Sequence, residues 1–199
     1  LEFSAPRTSE GDVSSSISSH FIYNSPTNYG KYVASGDLLN LYEPNDIRAN
    51  MFIEVPLPTI INNIEQDLPY YFTKKFQGDA GTSFIRLSEM YLIRAEANAR
   101  LANTANALID LNTIRERSNL LPLDTNENVL ESIFLERRRE LAFEGHLLFD
   151  IARYKKDVNR NLGCIANTCN LSYPSNFFVL PIPATSTNLN ENMQQNEGY

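Results

Sequence analysis

The sequence has no tryptophan, two cysteines and two histidines among its 199 residues. Cys164 and Cys169 cannot supply a four-ligand zinc site, so they read either as a local disulfide or as two free thiols. His20 and His146 leave few candidates for a histidine-based catalytic triad. No His-Glu-x-x-His, Gly-x-Ser-x-Gly, phosphate-loop or dinucleotide glycine pattern occurs. Seventeen basic residues stand against 24 acidic ones, a net charge of −7 with no basic tail. That balance excludes a nucleic-acid phosphate backbone as partner. No uncharged apolar run approaches the length of a membrane span, and no charged n-region precedes an apolar one as in a signal peptide.

What is present falls into three textures. Residues 1–82 are polar and rich in Ser, Asn and Pro; "MFIEVPL" (51–57) allows a strand or two, while Pro56, Pro58 and Pro69 rule out long helices. This reads as an irregular, loop-rich segment with minor strand. Residues 83–157 are helical. Ser83 is a candidate N-cap for a first helix, with Phe84, Leu87, Tyr91, Ala95 and Asn98 on one face and Ile85, Leu92 and Ala99 on another, as in a sandwiched helix. A second helix starts near Thr104 and carries Leu108, Leu111 and Ile114. The pair has the size of a tetratricopeptide-like hairpin, about 34 residues, without that repeat's aromatic and glycine positions. Pro122 and "LDTNEN" break the chain; Asp124 or Thr125 caps a third helix with Leu130, Phe134, Leu141 and Leu148 in one stripe, kinked or ended at Gly145. Residues 158–199 read as an extended C-terminal loop segment packing on the helices. The expected fold is mainly α, tetratricopeptide-like helical hairpins with long irregular loops.

Within the third helix, "FLERRRELAFEGHLLFDIARYKK" (134–156) threads charge through apolar positions. Glu136, Glu140 and Glu144 recur every fourth residue and share a face, where they repel unless cations lie alongside. Arg137, Arg138 and Arg139 supply cations but point three ways. Arg137 falls between Phe134 and Leu141 on the apolar stripe and calls for a carboxylate from another helix: Glu89, Glu96 or Glu116. Asp150 and Arg153 repeat the theme at i and i+3. Paired carboxylates of a glycosidase face each other across an open cleft, not along one helix. A bundle metal site wants Glu-x-x-His, and Glu144 and His146 are two apart. The expectation is a structural ionic seam of Glu89, Glu96, Glu136, Arg137, Glu140, Glu144, Asp150 and Arg153, with no catalytic residues, metal or cofactor.

"FIRLSEMYLIRAEANARLANTANALIDLNTIRERSNL" (84–120) followed by "ESIFLERRRELAFEGHLLFDIARY" (131–154) resembles the SusD/RagB family of outer-membrane nutrient-binding proteins. "FFVLPIPATSTNLNENMQQNEGY" (177–199) is similar to that family's ending, and "LLNLYEPNDIR" (38–48) to its Asp-x-Arg segment. Gly145-His146-Leu147 stands where the family usually shows Gly-His-Arg. The resemblance covers most of residues 38–199 and matches the family's C-terminal portion, as in a chain cut from a longer one.

The resemblance implies a cell-surface, outer-membrane lipoprotein that binds oligosaccharides or other nutrients without cleaving them and works with a TonB-dependent outer-membrane channel. Any membrane attachment would run through a lipid anchor that these residues do not carry. An alternative is a protein-interaction scaffold docking the channel or an N-terminal half, with no ligand of its own. Sugar capture uses aromatic faces with polar side chains at their rim. Trp being absent, Tyr23, Tyr29 and Tyr32 beside Asn24, Asn28 and Lys31 are the candidate ligand-binding residues. The competing reading has these tyrosines packing a loop onto the helices with their hydroxyls wet.

Overall fold

The computed structural model describes residues 2–3, 17–77, 82–83, 85–124, 128–160, 164 and 168–199. The chain divides into two units, Leu1–Glu144 and Gly145–Tyr199.

In the first unit a short strand β1 (Glu2–Phe3) pairs antiparallel with β6 (Thr82–Ser83). A small hairpin joins β2 (Tyr23–Ser25) to β3 (Asn28–Tyr29). After the one-turn helix α1 (Gly36–Leu39) and a 3-10 turn over Ile47–Met51, the chain makes a ribbon of two ten-residue strands, β4 (Phe52–Ile61) and β5 (Ile64–Thr73). Asn62 and Asn63 turn the ribbon with φ of 50° and 63°, the left-handed pair of a two-residue hairpin loop that Asn tolerates. Its register pairs Pro56 with Pro69 and Pro58 with Asp67. Counted back from the turn, these prolines fall at non-hydrogen-bonded pairs, where their missing N–H would point away from the partner strand. They therefore leave the ladder whole and blunt the outer edge. Tyr71, at the same kind of position, accepts the Ala34 N–H at 2.8 Å on the outside of β5. Val55, Leu57 and Phe72 bury the inner face, with Tyr23, Val33, Ile53 and Tyr70 packed around them.

Three helices form a second group with its own core: α2 (Leu87–Arg100), α3 (Thr104–Arg117) and α4 (Val129–Glu140). The first two make a hairpin through residues 101–103, with Ala102 at φ 60°, and both pack on α4. Their core is Leu92 and Ala95 of α2, Ala107, Leu108, Leu111 and Ile114 of α3, and Val129 and Ile133 of α4. Arg94 grips the Asp110 carboxylate with two N–H bonds, 2.8 and 2.7 Å, fastening α2 to α3.

Local details differ from those the sequence suggests. Ser83 lies in β6, and α2 starts four residues on with Arg86 at its N-cap position and no side-chain cap. Among the described residues, one face of α2 is covered. Leu92 and Ala95 are buried, whereas Ile85, Leu87, Met90 and Ile93 are exposed. Asn128 caps α4, its Oδ1 accepting from Glu131 N at 3.2 Å, in place of Asp124; Thr125 lies outside the described residues, as does Phe84. The apolar stripe ends with Leu141, because α4 stops at Glu140 and a turn follows to Gly145 at φ 82°. Leu148 is exposed.

The second unit carries α5 (Leu147–Tyr154), the strand pair β7 (Val158–Asn159) and β8 (Asn170–Leu171), a 3-10 turn over Asn176–Phe178 and α6 (Ala184–Leu189). Cys164 and Cys169 form a disulfide. The C-terminal motif has a physical reason here. The Gln195 amide donates to Ile182 O and accepts from Ile182 N, both at 2.8 Å, and Asn196 Nδ2 donates to Leu180 O at 2.7 Å. Tyr199 Oη reaches Val179 O at 2.9 Å. The last residues thus clip the extended Pro-Ile-Pro stretch.

Candidate functional site

Two groupings in the first unit bear on function: a buried ionic cluster and an aromatic patch. Glu136, at 0% exposure, and Glu140, at 5%, lie one turn apart on the inner face of α4, and Glu144 follows in the turn beyond. The cations that meet them come mostly from elsewhere in the chain. Arg48 is buried. Its Nε and one terminal nitrogen hold the Asp46 carboxylate at 2.9 and 2.8 Å, and the other terminal nitrogen lies 2.6 Å from Glu136 and 3.1 Å from Glu140. Asp46 also accepts the backbone N–H of Arg48 at 3.0 Å, so the Asp-x-Arg pair is a preformed fork. Arg86 donates to Glu144 at 2.9 Å and to both a carboxylate oxygen and the carbonyl of Glu140. Lys75 caps the end of α4, donating to the carbonyls of Glu140 and Ala142 at 2.9 and 3.0 Å while pairing with Glu144. Arg117 reaches Glu140 at 2.6 Å from the last turn of α3. Arg115 grips Glu43 at 2.8 and 3.2 Å, and Arg139 bridges Glu136 at 3.0 Å and Glu43 at 3.2 Å.

Protonation follows from this wiring. Burial alone would raise the Glu140 carboxyl, but Arg117 and Arg86 outweigh it and hold the group down to about 2. Arg115 holds Glu43 below the usual carboxylate range despite its burial. Burial pushes Tyr42 up to about 12. Burial also lowers Lys75, an effect that Glu144 opposes.

Of the expected seam, Glu136, Glu140 and Glu144 come together. Arg137 is buried on α4, and Arg138 lies over the Phe134 ring at 5.9 Å. Glu89 sits partly buried in the first turn of α2. Glu96 is buried but pairs along its own helix with Arg100 at 2.7 Å. Asp150 and Arg153 pair with each other at 2.7 Å inside the second unit. Glu116 is exposed. The cations of the seam, Arg48, Lys75, Arg86, Arg115 and Arg117, escape periodicity analysis because they lie on loops and on α3. The Asp46-x-Arg48 motif is the one visible signal of them.

The aromatic patch is built on the β2–β3 hairpin. Gly30 sits so close to the preceding turn that a Cβ there would lie 2.4 Å from the His20 carbonyl group; its N–H bonds Ile22 O at 2.8 Å. Tyr23 and Tyr29 face each other across the hairpin, their rings near-parallel at 21° with centroids 6.3 Å apart, and both rest on Phe72. Tyr32 packs on Phe21 at 5.8 Å. Tyr29 is 44% and Tyr32 59% exposed, whereas Tyr23 is half-buried. Asn24, Asn28 and Lys31 are exposed around them. All three tyrosines therefore pack the loop, and Tyr29 and Tyr32 keep part of their surface in solvent. Among the described residues no group of three or more His, Cys, Asp and Glu side chains is placed to hold a metal ion, and no helix is long and apolar enough to cross a membrane.

Comparison with known proteins adds a family. A model of the SusD family matches residues 68–199. The starch-binding protein SusD of Bacteroides thetaiotaomicron is 33% identical over 130 residues, 61% of this chain and 22% of that protein. SusD-like protein P25 of Formosa agariphila is 30% identical over 194 residues, 85% of this chain and 36% of its own. A SusD superfamily protein from Bacteroides vulgatus superposes with a TM-score of 0.67 at 27% identity, covering 80% of this chain and 37% of that one. The chain thus spans 22% to 36% of the length of these two sequence relatives.

Proposed function

Since this chain belongs to the SusD family, we propose that it is part of a non-catalytic glycan-binding protein of the outer cell surface, working with a TonB-dependent outer-membrane channel. The observation that carries the reading is the family match joined to two exposed aromatic residues, Tyr29 and Tyr32, beside Asn24, Asn28 and Lys31. A pyranose lays its C–H face on such rings while amide and ammonium groups bond its hydroxyls. Starch binding by a relative that is 33% identical supports a glucan as the first ligand to try. The disulfide suits an oxidising, extracytoplasmic location.

Glycoside hydrolysis has less support. Glu140 does line a cavity, but Arg48, Arg86 and Arg117 hold its carboxylate, and Glu136 is inaccessible. A general acid needs a raised pKa and an open approach to the glycosidic oxygen, and Glu140 is pushed the other way.

The test is affinity electrophoresis in starch-containing gels, with calorimetry against maltoheptaose. Retardation is expected, and Tyr29→Ala with Tyr32→Ala together should weaken it about tenfold, in line with loss of aromatic anchors, with circular dichroism checking that the variant is folded. Undiminished retardation of that variant moves the site elsewhere. No retention by starch or by a panel of other glycans counts against glycan capture by this chain.

A second reading, a docking scaffold, is favoured by the uncovered apolar face of α2. Its mark would be tight association with the channel, or with the N-terminal part of a longer chain, in the absence of any glycan binding.

A further inference from the structure

The two edges of the β4–β5 ribbon are not alike. Backbone groups point away from the partner strand at Pro56, Pro58 and Ile60 on β4, and at Glu65, Asp67, Pro69 and Tyr71 on β5. On β4 the prolines offer no N–H, so that edge is blunted along its middle. On β5 the position farthest from the turn is already taken. Tyr71 O accepts the Ala34 N–H, and the chain then leaves the edge at Ser35 to enter α1. Glu65 and Asp67 remain, and among the described residues no group bonds their N–H. Both are exposed, as are Ile64 and Gln66 beside them. Free backbone donors on a strand edge are a template for a further strand.

We infer that this edge takes up an extended peptide segment as an added strand, one that alternates basic and apolar residues. Main-chain hydrogen bonds supply affinity in such a pairing, and alternate side chains supply the choice of partner. Successive side chains point to opposite faces of a strand. Glu65 and Asp67 therefore share the outer face, across from Ile60 and Pro58, while Ile64 and Leu68 lie on the face that carries Phe72. Neither strand of the ribbon contains Lys or Arg. A basic residue opposite each carboxylate completes a favourable cross-strand pair. The residue between the two falls opposite Gln66, flanked by Ile64 and Leu68, and an apolar side chain suits it. A second copy of this chain fits worse. Two copies paired antiparallel through both N–H groups set Glu65 or Asp67 against another carboxylate, and like charges directly opposite destabilise. The inference does not depend on glycan capture by the tyrosines.

The probe is a labelled, terminally blocked heptapeptide alternating Lys and Val, titrated with the whole chain and followed by fluorescence anisotropy. It is expected to bind and to slow amide hydrogen exchange at Glu65 and Asp67. Two further peptides are each expected to bind about tenfold more weakly. One has the same composition with Lys and Val in separate blocks, which keeps the net charge. The other is the alternating peptide N-methylated at its Lys residues, which removes the donors facing the edge. On the protein, Asp67→Pro removes an outward N–H, as Pro58 does on β4, and leaves the ladder whole. It should weaken binding about tenfold beyond Asp67→Asn, which removes the charge alone. Circular dichroism checks that both variants fold; if Asp67→Pro does not, the N-methylated peptide carries the same test from the other strand. No binding of the alternating peptide, or equal binding of the block or N-methylated peptide, overturns the inference. Equal affinity of folded Asp67→Pro and Asp67→Asn overturns it as well.

Discussion

Arg48 touches three carboxylates, and its position decides what each of them costs. A buried guanidinium with Asp46, Glu136 and Glu140 around it is a compensated group, and removing it leaves three acids short of a counter-ion. Arg48→Met keeps the apolar stem and is expected to destabilise by about 3–5 kcal/mol, read from urea unfolding at pH 7; a loss under about 1 kcal/mol would mean that water replaces the guanidinium. Acid stability tests the same wiring from the other side. The Glu140 carboxyl stays charged in the fold down to about 2, against 4.5 ordinarily. A depressed carboxylate contributes its stability above the unfolded value and loses it as pH falls from about 4.5 toward 2. Between pH 7 and pH 3 the wild type should therefore lose roughly 2 kcal/mol more than Glu140→Gln, whose amide does not titrate. Parallel losses in the two proteins would show that Glu140 titrates normally in the fold.

At the scale of elements, the β4–β5 ribbon owes its register to its turn. Both Asn62 and Asn63 have positive φ, where a β-branched residue is strained and glycine is not. Asn63→Val should cost about 1–2 kcal/mol and Asn63→Gly nothing, by chemical denaturation. If Val and Gly behave alike, the turn is not what sets the pairing. Helices were legible because Leu108, Leu111 and Ile114 recur with the helical period and land in the core. Less legible was which face of α2 is covered. With apolar residues all round, periodicity cannot choose between Leu87 and Leu92, and the packing of α3 and α4 makes the choice. The ribbon was half visible, since prolines that forbid helix are compatible with outward-facing strand positions. The ionic site divides in the same way. Glu136, Glu140 and Glu144 announce themselves by recurring every fourth residue, although Glu144 falls in the turn past the end of α4. Arg48 and Arg86, 92 and 54 residues from Glu140, are joined to it by tertiary folding alone, which no local period can report.

For the molecule as a whole, the distribution of apolar surface is as informative as the core. Leu87, Met90 and Ile93 recur every third residue, and Leu101 follows the end of α2, all of them exposed, Leu87 at 71%. Together they form a stripe rather than the scattered single side chains normal on a surface. A helix in water commonly keeps one polar face; this one keeps apolar residues on both, which is the pattern of a helix covered on two sides. Among the described residues of the first unit, the side toward α3 and α4 carries the buried core. Leu87→Glu with Ile93→Glu should therefore change unfolding free energy by less than about 0.5 kcal/mol, as for ordinary surface positions. The same variant should bind less of an environment-sensitive apolar dye and self-associate less in sedimentation velocity, since charge replaces contact area. If instead the variant loses more than about 2 kcal/mol, the magnitude expected for burying an unpaired charge, the stripe is already covered when the protein folds, and the scaffold reading loses the surface on which it rests.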